Sequence, residues 1–229
     1  SGALANGTNT VAIGTSANAN LDNTIALGSL ANALASNSIA VGTGAEVAAG
    51  ASSSVAFGSG AKIAANATSS VALGSGAQAT KSNSVSLGFT SNATGTSSTA
   101  IGSTANASGN LSTAIGGTST AAGDRGVVIG YGAKGSTSLD LLAIGYNANA
   151  TGNGAFAGGA SSSANGNNAL ALGTSSNAIG PKTVAIGGDS KSTSDFATAI
   201  GNSANANALY STAIGGNSSA NAVTANAAG

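Results

Sequence analysis

One short phrase returns along this whole chain at a nearly fixed interval. It reads small residue, Val or Thr, Ala, Ile or Leu, Gly, two residues, then Ala-x-Ala. "SVALGSGAQA" spans 70–79, "NTVAIGTSANA" spans 9–19 and "STAIGGNSSA" spans 211–220. The glycine that closes each phrase is Gly14, Gly28, Gly42, Gly58, Gly74, Gly88, Gly102, Gly116, Gly130, Gly145, Gly159, Gly173, Gly187, Gly201 or Gly215. The step between them is 14 residues, except for two steps of 16 (42 to 58 and 58 to 74) and one of 15 (130 to 145). Ala, Ser, Gly, Asn and Thr dominate, which on composition alone suits a flexible linker. A linker has no reason to keep a register, so the period decides for an ordered repeat.

Both halves of the phrase alternate with period 2, the period of a strand. A unit of 14 residues cannot bury a face by itself, so units must stack. The expected fold is all-β: a parallel β-roll or β-solenoid with two short strands per coil and about fifteen coils. With coils ~4.8 Å apart the array would be roughly 70 Å long. Strands of about five residues would leave short turns and a thin interior. Residues 1–229 then form a single repeat array. "SGALA" at the start and "NAAG" at the end align with parts of a repeat, so both ends are expected to be cuts through a longer chain.

A thin interior takes small side chains. On that reading Ala72, Ala77 and Ala79 point in, while Val71 and Leu73 point out. The outward stripe then comprises Val11, Ile13, Ile25, Leu27, Ile39, Val41, Val55, Phe57, Val71, Leu73, Val85, Leu87, Ile101, Ile115, Ile129, Ile144, Phe156, Leu172, Ile186, Ile200 and Ile214. A soluble monomer rarely exposes so long an apolar patch, so the stripe is expected to close against copies of itself. A wider roll, with Val and Ile inside and Ala outside, is the open alternative. The fifteen glycines above are the expected turn residues. At 156–158 Phe156 takes the Val place and Gly158 the Ile place on one shared face, which roughly conserves volume.

The residue four after each glycine should form a polar outward column. It is mostly Asn, Ser, Thr or Gln, with Glu46 and Lys62 in adjacent coils and Lys134 and Lys191 apart. Opposite charges side by side suit such stacking. The segments 48–54, 64–70 and 135–141 lie in the longer repeats and are expected to protrude as loops.

Chemistry is sparse. The chain has no Cys, His, Met or Trp, six acidic and six basic residues, and zero net charge. No nucleic-acid partner, catalytic residue, cofactor site or metal site is expected from this, and no enzyme. Asp22, Glu46, Asp124, Asp140, Asp189 and Asp195 show no recurring pair, and "GDRG" at 123–126 reads as a charged turn. An ice-binding solenoid would favour a flat array of one side chain, whereas the outward column here is mixed.

"IAVGTGAEV" (39–47), "VAFGSGAKI" (55–63) and "VALGSGAQA" (71–79) resemble the head repeats of trimeric autotransporter adhesins, the YadA-like type. The resemblance covers essentially the whole chain. It implies a left-handed roll and a homotrimer displayed on the bacterial cell surface, anchored in the outer membrane through a C-terminal region absent here. It also implies attachment to host extracellular matrix such as collagen, to cells, to abiotic surfaces and to other bacteria, with no direct membrane contact in this segment.

Overall fold

A computed structural model describes residues 2–229. The chain divides into two units, one up to Thr118 and the other Ser119–Gly229. Among the described residues every element is a strand, and each coil contributes one strand of three residues and one of two. In the first unit the long strands run from Val11–Ile13 to Thr113–Ile115 and the short ones from Leu4–Ala5 to Asn106–Ala107. In the second unit the long strands run from Val127–Ile129 to Asn226–Ala228 and the short ones from Thr120–Ala121 to Ser219–Ala220. Each unit is thus a parallel β-solenoid with one sheet of long strands and one of short strands.

Register follows the repeat. Val71, Ala72 and Leu73 lie beside Val55, Ala56 and Phe57 on one side and Val85, Ser86 and Leu87 on the other. Gln78 and Ala79 lie beside Lys62 and Ile63, and beside Asn92 and Ala93. The strands are shorter than the five residues expected, because bends consume most of the coil. The turn glycines have φ between 115° and 138°. Two further positions per coil are left-handed: two residues after the glycine, as in Ser16 and Leu30, and five before it, as in Asn9 and Asn23.

These bends do not interrupt pairing between coils. Gly28 donates its N–H to Ile13 O at 2.8 Å, Leu30 to Thr15 O at 2.9 Å and Asn23 to Thr8 O at 2.8 Å. Backbone groups that a loop would leave to solvent are therefore satisfied by the next coil.

The interior is lined by alanine. Ala26, Ala40, Ala56, Ala72, Ala100 and Ala114 from the long strands meet Ala17, Ala19, Ala31, Ala33, Ala77 and Ala79, and all are fully buried. The small-inside arrangement holds in most coils of both units, with Val47, Ile63, Val128 and Leu141 as the large inward side chains among the described residues, and the Val and Ile of the stripe do not turn inward. Where serine or threonine takes an inward place its hydroxyl mostly returns to the backbone, while Ser86 Oγ bonds Ser91 Oγ at 2.7 Å. Ser112 Oγ donates to Gly109 O at 2.6 Å, Thr183 Oγ1 to Gly180 O at 2.6 Å and Ser162 Oγ to Gly159 O at 2.8 Å. A buried hydroxyl is tolerated because it is bonded.

The longer repeats correct one expectation. Segments 48–54 and 64–70 do not simply protrude: Ala51, Ser54, Ala67 and Ser70 are buried. The extra residues widen the coil, and the larger Val47 and Ile63 occupy inward places in those same coils. In 135–141 Thr137, Leu139 and Asp140 are exposed, but Leu141 is buried. A Cβ on Gly126 would lie 3.3 Å from Leu141 Cδ1, and one on Gly135 would lie 2.9 Å from Val128 Cγ2. Two glycines thus make room for two large side chains, conserving interior volume.

Left-handed backbone disfavours most side chains by roughly 1–2 kcal/mol, and asparagine tolerates it best after glycine. Asn9, Asn23 and Asn37 use this, and their amides also bond in series at 3.1 and 3.0 Å. Thr90 and Thr104 are β-branched, exposed and left-handed in adjacent coils, with φ of 47° and 55°. Thr90→Asn together with Thr104→Asn is expected to raise the thermal midpoint by about 2–6 °C. An unchanged or lower midpoint in a melting scan would contradict this account of the bends.

Candidate assembly and binding surfaces

The outward face of the long-strand sheet carries two apolar columns. None of the stripe residues named from the sequence is buried in the protomer; Ile13, Leu27, Phe57, Leu73, Leu87, Ile144 and Ile214 are exposed and the others are half-buried or exposed. In the second unit Val127, Leu142, Leu170 and Val184 take the place in the repeat that Val11 and Val71 take in the first, and belong to the same set. Thr99 and Thr113 interrupt the column of the first unit, and Thr198 and Thr212 that of the second. At the 156–158 exchange a Cβ on Gly158 would meet the Phe156 ring at 3.2 Å and Leu172 Cδ2 at 2.7 Å. The ring and its neighbour fill the place that isoleucine takes elsewhere.

The face of the short-strand sheet is polar. Asn18, Asn32, Asn92 and Asn106 share an outward column in the first unit, as do Asn149, Asn177 and Asn205 in the second, and all are half-buried. Asn32 donates Nδ2 to Leu30 O at 3.2 Å. In Asn18, Asn92, Asn106, Asn177 and Asn205 the buried Oδ1 has no donor, and a half-turn of the amide would put Nδ2 there instead. The column's charges behave as expected: Lys62 Nζ lies 3.0 Å from Glu46 Oε2 in the next coil.

The turns form the two edges of each coil. Arg125, in the "GDRG" turn, forks onto Asp140 one coil on, with Nη2 to Oδ2 at 2.7 Å and Nε to Oδ1. The guanidinium hydrogen bond holds the Asp140 carboxyl below its ordinary range, and the same bond raises the Arg125 value. Both side chains are half in water, so the pair is a surface contact of small energetic weight. Tyr131 and Tyr146 stack one coil apart, with ring centroids 6.0 Å apart and planes 9° apart. Phe196 and Tyr210 stack at 5.0 Å and 17°, and Lys182 Nζ stands 5.3 Å from the Phe196 centroid. Sequence reading did not single out these ladders. Their signal was a bulky residue recurring at one place in consecutive coils.

A stacked solenoid with a small-residue interior, an apolar stripe on one sheet and a polar column on the other is a repeat scaffold that presents surfaces. The chain belongs to the YadA head domain repeat family, whose model matches residues 5–31, 22–45, 65–91, 93–110, 107–133, 142–162, 164–190, 178–204 and 192–218. It is a YadA-like head domain of a trimeric autotransporter adhesin. Among solved structures it is similar to the collagen-binding domain of the Yersinia adhesin YadA, with 29% sequence identity, 59% of this chain and 68% of that chain covered, and a TM-score of 0.40. No curated protein matches the chain.

Proposed function

We propose that this chain is the head of a bacterial surface adhesin, working as a homotrimer and as a binding and presentation module rather than a catalyst. Two outward columns of Val, Ile and Leu carry the reading. They expose in the protomer an apolar surface that a soluble monomer rarely shows, and burial is worth ~1.5–3 kcal/mol per large side chain. Three such sheets facing one axis would cover it.

The polar column and the turn edges then face outward. The ligand is host extracellular matrix such as collagen, a host cell, an abiotic surface or another bacterium. Repeated weak contacts along three chains and many molecules add as avidity. The head is displayed beyond the outer membrane. Sedimentation is expected to give three times the 20.8 kDa mass of one chain. Trimers coupled densely to beads are expected to adhere to collagen, fibronectin, laminin, cells or plastic. A stable monomer would end the assembly reading, and trimer-coated beads that adhere to none of these would end the adhesion reading.

A further inference from the structure

Lys182, Phe196 and Tyr210 occupy one position in three consecutive coils, at the turn that leads into the long strand. All three are left-handed, with φ of 55°, 59° and 58°. The same position elsewhere is mostly Asn, Ser or Gly, residues that accept this backbone more readily. Phe196 and Tyr210 remain 41% and 53% exposed in the protomer, so their contacts within the chain do not explain their size. Leu209 and Val223, also exposed, extend the apolar edge.

A closed ring of copies fixes what can cover this ridge. If the stripes face an axis parallel to the stacking direction, the edge made by one turn meets the edge made by the other turn of the next copy. Rotation about that axis does not change height, so equal levels meet. The residue after each turn glycine stands as far from the centre of the long strand as Phe196 does, on the opposite edge. In these coils that residue is Gly188, Asn202 or Gly216; elsewhere it is mostly Ser or Thr, with Gly117 and Ala160 in two coils and the bulky Phe89, Tyr131 and Tyr146 in three others. Bulk on one edge thus stands level with absent or short side chains on the other.

Charge agrees. Asp189 lies seven residues after Lys182 and seven before Phe196, so it stands on the opposite edge at an intermediate height. The Lys182 ammonium leans toward the Phe196 ring, and so toward that height. Among the described residues neither Lys182 nor Asp189 has an ion-pair partner in the protomer. Asp195, beside Phe196 on the same edge, is the other carboxylate near Lys182.

We infer that the Lys182, Phe196 and Tyr210 ladder is a ridge that docks on the opposite edge of the next copy of this chain, with Gly188 and Gly216 making room for the rings and Asp189 facing Lys182. The inference rests on the trimeric reading above and assigns its corner contacts. The chain has no cysteine, so a pair can be introduced cleanly. Phe196→Cys with Asn202→Cys puts the two thiols on opposite edges of a protomer. Oxidation is expected to give covalent dimers and trimers on a non-reducing gel. A trimer by sedimentation with no cross-linked species would overturn the inference and leave the trimer standing. A monomer would remove both.

A second variant reads the same contact without cysteine. Phe196→Asn with Tyr210→Asn suits the left-handed backbone but removes the ring stack and the Lys182 contact within the protomer, effects of similar size and opposite sign, so the thermal midpoint is unchanged or higher if the rings do nothing beyond the protomer. Docking predicts a fall of roughly 5 °C or more instead. An unchanged or higher midpoint overturns the inference. Loss of bead adhesion with unchanged mass and midpoint also overturns it, by assigning the ridge to an outside ligand.

Discussion

Gly102→Ala is expected to lower stability by about 3–5 kcal/mol, far more than an ordinary glycine substitution. Two penalties coincide at this residue. Its φ of 129° lies where L side chains rarely go. A Cβ there would also sit 2.7 Å from both the carbonyl carbon and oxygen of Gly116 in the next coil. The obstacle is backbone held in a ladder, with Gly116 N donating to Ile101 O at 2.8 Å, so it cannot step aside like a flexible side chain. Gly44 separates the two penalties. It is left-handed at 65°, but a Cβ there meets nothing within 4 Å. Gly44→Ala should therefore cost only the backbone term, about 1 kcal/mol. Urea unfolding of both variants makes the comparison, and equal costs would show that contact between stacked glycines does not limit the turn.

Leu73→Asp is expected to abolish assembly. Leu73 is 39% exposed in the protomer, so a carboxylate there leaves the folded coil largely undisturbed. In a trimer built on the stripe, three carboxylates would converge in an apolar environment. Burying unpaired like charges is strongly disfavoured. Sedimentation should show the mass dropping to that of one chain, with strand content by circular dichroism retained. Gln78→Asp, on the polar face of the same coil, is the matched control and should leave the trimer intact. A Leu73→Asp protein that still sediments as a trimer with an unchanged melting midpoint would place the interface elsewhere.

The architecture was legible because the repeat states it several times. Alternation around Ala72 and around Ala77 to Ala79 gave the strands and their faces, and the Glu46 and Lys62 pair gave the register. Other features were hidden for a common reason: they depend on which distant positions share a space. Whether 48–54 bulges or widens the coil depends on the room that Val47 and Ala51 find inside. Gly126 and Gly135 look like isolated departures until Leu141 and Val128 are seen to occupy the gaps. The left-handed positions were obscured because Leu30, Phe196 and Tyr210 occupy them against their own preference. The edge ladders needed three consecutive coils to be compared at one place.

The ladder that continues through the turns also bears on mechanics. Hydrogen bonds between coils lie along the stacking direction, and within one chain each coil touches only its neighbours. A pull on the chain end therefore loads one inter-coil seam at a time and peels it like a zipper instead of shearing many seams together. A released coil of 14 residues yields ~45–50 Å of extended chain. A head under flow can thus lengthen in coil-sized steps, shedding load while the remaining coils stay folded and attached.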